Sequence, residues 1–325
     1  MGQQVGFPVV RWGIGAQPGT ARPPIALTRA LRFRYDPPTM SENKGGWDRQ
    51  PRPIAEIPVQ SCRSLSWFFT DIDDTITTEG LLPDSSYAAL WDLHRAGIRV
   101  VPVTGRPAGW CDHIARMWPV AGVVGENGAL RYIYDRKAKR MRRNYAIPLE
   151  EAAENRKRLA RIAQRVLREV PGTGIAADQP FRMFDYAIDF REDVPPLPMT
   201  AVDAVCAILG QEGATYKVSS IHVNYWFGTF DKVDGMRAFL REAAGEDFDA
   251  VRRTIAFSGD SPNDEPMFRE VPFSIGVGNI RRFLDRIVHA PAFVTEADCA
   301  EGFREAVDGI LRRRGGAAPL PGSGR

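Results

Sequence analysis

Short apolar runs alternate with stretches of helical period through most of this 325-residue chain. Leu65-Ser-Trp-Phe-Phe-Thr70 has the length and composition of a buried strand, read as Trp67–Asp71. Pro83 to Ala96 reads as a helix with Tyr87, Leu90, Trp91 and His94 on one side, and Gly97 supplies the stop. Ile98–Thr104 is a second strand, Pro107 opens a helix, and Val120–Gly125 is a third strand. This β-α-β-α-β order predicts a doubly wound parallel sheet. Right-handed crossovers would bring the ends of its strands to one edge.

The pattern changes after Glu126. Leu130-Arg-Tyr-Ile-Tyr and Arg142-Arg-Asn-Tyr-Ala-Ile read as a hairpin, and Pro148–Val170 as a long amphipathic helix ended by Pro171-Gly172. Its apolar stripe is Leu159, Ile162, Ala163, Val166, Leu167 and Val170. Tyr186–Phe190 alternates as a strand, Ala201–Leu209 is helical, and Val218–Phe227 reads as one long strand. Residues 127–227 therefore form an α+β insert of domain size. Then the first pattern resumes: a helix over Lys232–Ala244, strands at Thr254–Ser258, Phe273–Val277 and Phe293–Thr295, and a closing helix marked by Phe303, Val307, Ile310 and Leu311. The expected division is 63–126 with 228–314 as a core, 127–227 as the insert, and 315–325 as a flexible tail.

Residues 1–62 differ from all of this. Arg-Pro-Pro, Asp-Pro-Pro, Gly-Gly and Arg-Pro-Arg-Pro occur without a sustained period, which predicts a Pro/Arg-rich disordered extension. The net charge of +3 gives no argument for nucleic acid as a partner. Cys62, Cys111, Cys206 and Cys299 form no Cys-x-x-Cys pair, which disfavours a zinc site or a disulfide framework and fits the cytoplasm. No segment approaches a membrane span, and no membrane partner is expected.

Chemistry concentrates where strands end. Asp71-Ile-Asp73-Asp74-Thr75 follows the first strand. Two carboxylates two residues apart place a nucleophile and a proton shuttle beside one reacting group, which suits phosphoryl transfer through an acyl-phosphate on Asp71. Val103-Thr104-Gly105-Arg106, Lys232 and Ser258-Gly-Asp260-Ser-Pro-Asn263-Asp264 follow in order. Thr104 and the amide of Gly105 can donate to a phosphoryl oxygen. Arg106 could reach the phosphate or pair with a carboxylate, and both readings stay open. Lys232 would neutralise charge on the phosphoryl oxygens and on Asp71, with Lys217 as its competitor.

Together these segments resemble the four motifs of the haloacid dehalogenase (HAD) superfamily, from about Leu65 to Leu311. The resemblance is to the branch with a large α/β cap between the second and third motifs, the Cof-type or class IIB sugar-phosphate phosphatases. It implies a Rossmann-like core with an inserted α+β cap. It implies a Mg²⁺-dependent phosphomonoesterase with Asp71 as nucleophile and Asp73 as acid and base. Asp71, Asp260 and the main-chain carbonyl of Asp73 offer hard oxygen ligands for Mg²⁺. Asn263 and Asp264 would support them or cap a helix. Asp74 stands where many relatives have Gly and takes no catalytic role, and Asn279 lies in a loop that borders the site in relatives.

The cap would set specificity. Ser220, His222 and Asn224 alternate with Ile221, Val223 and Tyr225, which puts a polar face toward a sugar or toward solvent. Arg106 and Arg182 are further substrate candidates, with Asp178 and Gln179 beside them. The expected substrate is a small phosphorylated metabolite, in first place a sugar phosphate. The alternatives are a phosphomutase using the same aspartyl-phosphate and a non-catalytic phosphometabolite-binding protein.

Overall fold

Residues 50–315 are described by the structure, a computed structural model. The core opens with β1 (Arg52–Pro53) and α1 (Val59–Ser64) and alternates through β2 (Trp67–Thr70), α2 (Asp84–Arg95), β3 (Arg99–Pro102), α3 (Ala108–Met117) and β4 (Val123–Gly125). A hairpin of β5 (Leu130–Asp135) and β6 (Arg140–Tyr145) follows. The insert runs through α4 (Leu149–Glu169), β7 (Gly174–Ile175), β8 (Tyr186–Asp189), α5 (Met199–Gln211), β9 (Thr215–Val218) and β10 (His222–Trp226). The core resumes with α6 (Lys232–Ala244), α7 (Phe248–Val251), β11 (Ile255–Gly259), α8 (Glu265–Glu270), β12 (Phe273–Gly276), β13 (Phe293–Val294) and α9 (Cys299–Arg314).

The core sheet has the order β1-β13-β12-β11-β2-β3, and every pairing in it is parallel. Successive β2 side chains serve opposite faces. Phe68 packs with Leu90, Leu93 and Phe303, whereas Trp67 and Phe69 pack with Phe239 and Phe257. Helices therefore cover both faces, which explains why the strands read as continuous apolar runs. From β2 the chain moves outward to β3, and from β11 it moves the other way to β12. The carboxyl ends of β2 and β11 thus lie at the switch point of the sheet, where such folds form a cleft. Asp71 and Asp260 directly follow these two paired strands.

Four sequence expectations change. Residues 52–62, expected to lie in the extension, are built into the core: β1 pairs with β13, and Ile54, Ile57 and Cys62 are buried. The Pro-rich composition hid an edge strand, a position that tolerates proline. The expectations for residues 1–49 and 316–325 lie outside the described residues. The β5–β6 hairpin, assigned to the insert, pairs with β4 in a three-stranded sheet, and Arg131 of β5 binds Glu242 of α6 at 2.6 Å. The insert has its own four-stranded sheet, β7-β8-β10-β9, and its own apolar core of residues such as Leu159, Val166, Val205 and Tyr225.

The third change bears on the site. The long strand expected over Val218–Phe227 is two antiparallel strands, β9 and β10, joined by a tight turn. The Ser219 hydroxyl makes that turn locally: it donates to the carbonyl of His222 and accepts from its amide at 3.0 Å. Ser220 is therefore a turn residue and does not share a strand face with His222 and Asn224. In α2 the buried positions are Ser86, Ala89, Leu90 and Leu93, so Trp91 and His94 face outward, contrary to the expected stripe.

Candidate active site

Asp71 and Lys232 form the centre. Asp71 is 4% exposed, and the Lys232 ammonium lies 3.1 Å from its Oδ1 and 2.7 Å from Oδ1 of Asp264. Lys232 is the first residue of α6. Asp231 caps that helix by accepting from the amides of Val233 and Asp234, which fixes where the lysine starts. Lys217, its competitor in sequence, lies on β9 of the cap.

Asp264 reaches the site by bending back beneath its own turn. Its Oδ2 accepts from the amides of Asp260 and Ser261 at 2.9 and 3.2 Å. Gly259 permits this, since a Cβ there would lie 2.5 Å from the Asp264 carboxylate. Asp260 receives the side-chain amide of Asn279 at 3.1 Å, and the same amide nitrogen binds the carbonyl of Asp74. Asn279 thus ties the loop after β2 to the end of β11. Asn263 donates to Asn127 at 3.2 Å and lines a small recess with Asp71 and Asp73.

Carboxylate oxygens of Asp71, Asp260 and Asp264 lie within 4.8 Å of one another. Burial, with Asp264 and Asp73 adding to it against the pull of Lys232, pushes Asp71 up to about 7. Burial, with Asp264, Asp71 and Asp74 adding to it, pushes Asp260 well above the usual carboxylate range. Three buried acids thus share one lysine. The donor set is all oxygen and fits a hard divalent cation such as Mg²⁺. The cluster includes Asp264, which sequence reading placed one step back.

Asp73 is held by Arg106. The guanidinium donates to its carboxylate from Nε and Nη2, with separations of 2.7 to 3.0 Å. The same guanidinium reaches Glu192 of the cap at 2.7 Å and lies 4.7 Å from the centre of the Trp110 ring. Of the two readings open for Arg106, the structure shows the carboxylate pairing. Thr104 is buried at the end of the β3 segment, and its hydroxyl accepts from the Arg106 amide at 3.0 Å. A Cβ at Gly105 would lie 3.4 Å from the side chains of Asn127 and Asn224, so the loop passes close to both.

Residues 68–163 match a family model described as haloacid dehalogenase-like hydrolase. Over those residues the chain resembles the haloacid dehalogenase-like hydrolases. No curated protein matches it by sequence. Solved structures share its fold at low identity. A HAD/COF-like hydrolase from Plasmodium vivax is 16% identical, with a TM-score of 0.56 over 78% of this chain and 99% of that one. A structure titled as a HAD subclass IIB sugar phosphatase is 15% identical, with a TM-score of 0.52 over 77% and 99%. The sucrose-phosphatase of Synechocystis sp., in complex with sucrose and phosphate, is 15% identical, with a TM-score of 0.53 over 76% and 98%.

The cap meets the core through buried polar groups. Arg182 is 1% exposed and binds Asp178 at 2.9 Å, Asp185 at 3.0 Å and the carbonyl of Gly105 at 2.8 Å. Asn224 donates to Asp185 at 2.9 Å, and Gln179 bonds the backbone of Asp185 and Ala187. Arg182 and Asn224, expected to read the substrate, are members of this joint and also line the small recess over Asp71 and Asp73. Glu126 completes it: its buried carboxylate accepts from the amides of Ala108, Met183, Phe184 and Asp185. Sequence reading missed this role, although the change of pattern after Glu126 marked the boundary.

Ser220 and His222 do face the cleft. The Ser220 hydroxyl is buried without a hydrogen-bond partner, and His222 Nε2 lies 3.0 Å from Glu192. Glu192 was also missed in sequence. Its signal is Asp189, whose carboxylate accepts from the amides of Arg191, Glu192 and Asp193 at 2.8 Å each and so shapes the loop. A cavity of about 600 Å³ opens beside Asp73, walled by Thr77 and Asn279 of the core and by Glu192 and Ser220 of the cap. That is ample room for a small metabolite.

Proposed function

We propose that this chain is a Mg²⁺-dependent phosphomonoesterase that hydrolyses a small phosphorylated metabolite, in first place a sugar phosphate, through an aspartyl-phosphate on Asp71. The observation that carries the reading is the joining of Asp71, Lys232, Asp260 and Asp264 in one buried cluster, with Asp73 at the mouth of a cavity. Support for a sugar comes from the carboxylate, hydroxyl and amide side chains along the cavity and from solved structures of the same fold named as sugar and sucrose phosphatases.

In this reading Asp71 attacks phosphorus in line, and the bond from phosphorus to the alcohol oxygen breaks. Asp73 gives its proton to the departing oxygen, then takes one from the water that attacks the acyl-phosphate. Lys232, Thr104 and the Gly105 amide hold the phosphoryl oxygens. Asp71, Asp260 and the Asp73 carbonyl would hold Mg²⁺, with Asp264 and Asn263 behind them. The metal would supply charge that offsets repulsion between the phosphate and the nucleophile. Arg106 must loosen its hold on Asp73 for the proton to move, and Glu192 of the cap already accepts from the same guanidinium.

Among the described residues, no helix is long and apolar enough to cross a membrane. The four cysteines are all free, which supports a cytoplasmic setting.

The test is phosphate release from a panel of sugar phosphates, with Mg²⁺ or chelator, by wild type and Asp71→Asn. Release that needs both the metal and Asp71 is expected. Release by Asp71→Asn at an undiminished rate would overturn the assignment. An interconversion of sugar phosphates without phosphate release would favour the mutase.

A further inference from the structure

The cavity beside Asp73 continues past its polar walls. Arg191, Ser220 and Phe283 also border a second recess of about 190 Å³. Its remaining walls are mainly apolar, with Phe190, Met199 and Val218 supplied by the cap. Polar groups nearby are already engaged. The Ser219 hydroxyl is bonded to the backbone of His222, and Arg286 pairs with Asp203 at 3.2 Å. The unpartnered Ser220 hydroxyl stands on the border with the polar cavity.

This division of chemistry constrains what the leaving alcohol can be. A second sugar ring in the recess would bring several hydroxyls to walls with few free partners, and each buried hydroxyl left unbonded costs about 1–3 kcal/mol. An apolar ring meets no such penalty. An apolar cavity of about 150 Å³ suffices for benzene. Arg191 at the edge favours a ring with a π face.

We propose that the recess is a subsite for an aromatic ring at the far end of the leaving alcohol. Preferred substrates are then phosphate esters in which a hydroxylated segment, lying between Glu192 and Ser220, joins the phosphate to an aromatic group. This rests on the phosphomonoesterase reading above and narrows its substrate class.

The test compares kcat/KM for phenyl β-glucoside 6-phosphate, glucose 6-phosphate and trehalose 6-phosphate, with 4-nitrophenyl phosphate as a general substrate. The aryl glucoside should exceed glucose 6-phosphate by at least about tenfold, in line with burial of one ring. Met199→Trp, which fills the recess from its rim, should remove that advantage and leave glucose 6-phosphate unchanged. Equal values for phenyl β-glucoside 6-phosphate and glucose 6-phosphate, a preference for trehalose 6-phosphate, or an equal loss on all substrates in Met199→Trp would overturn the subsite. Absence of turnover on every compound, 4-nitrophenyl phosphate included, would instead undo the catalytic reading. Calorimetric binding to Asp71→Asn then decides the subsite alone: tighter binding of the aryl glucoside than of glucose 6-phosphate supports it, and equal binding overturns it.

Discussion

Arg182 shows how a residue's place can reverse the reading of its type. An arginine in a cap segment suggests a ligand contact, yet this one lies against Asp178, Asp185 and the Gly105 carbonyl with almost no exposure. Removing one partner of a buried ion pair strands the other charges. Arg182→Met should therefore lower unfolding stability by about 3–5 kcal/mol, read from denaturant midpoints. A loss below about 1 kcal/mol would contradict the joint described here. Glu192 gives a pH-dependent counterpart. Burial works to raise its pKa, but the bonds from His222 and Arg106 outweigh that and hold it down to about 2. A carboxyl depressed in the folded state adds stability above its unfolded pKa and loses it as pH falls toward the folded value. The stability gap between wild type and Glu192→Gln should thus be full above about pH 4.5 and shrink toward pH 2. A gap unchanged across that window would remove the pairing from the account.

At the scale of elements, the strand ends were legible and the joints were not. Asp71, Thr104 and Asp260 follow short apolar runs, and period and length alone locate such runs. Lys232 was legible from its place after Asp231, a capping residue at the start of a helical pattern. The β9–β10 turn was hidden because Ser219 and Ser220 fit an alternating strand as well as a turn, and only pairing decides between them. The network of Glu126, Asp185 and Asn224 was hidden for a related reason: its members are up to 98 positions apart, and only the folded chain joins them. Gly128 marks the mechanical part of that joint. Its φ is +105°, and a Cβ there would meet the Asp231 carbonyl at 2.0 Å. Gly128→Ala should destabilise the protein by more than about 1 kcal/mol. It should also lower turnover, because Asp231 caps the helix that carries Lys232. A variant with wild-type stability and rate would show that the close approach is not needed.

For the whole molecule, the doubly wound core and inserted cap follow from the order of elements, and the comparisons agree on the fold. The division of labour is physical. The core gathers acidic side chains at the switch point of a parallel sheet, where strand ends and loops can face one another. The cap brings a separate apolar core and lays Glu192, Ser220 and His222 over the cleft. Its attachment through Arg182 and Glu126 is buried and polar, so the cap should stay bound to the core while the cavity beside Asp73 admits the substrate. The central claim concerns one bond, between Asp71 and phosphorus. Its most direct test is to mix the protein with Mg²⁺ and a turnover substrate, quench in acid, and map the phosphoryl group by peptide mass spectrometry. The account predicts phosphate on the peptide that contains Asp71, absent in Asp71→Asn and without metal. Phosphate release that proceeds with no such adduct, or an adduct on another residue, would contradict it.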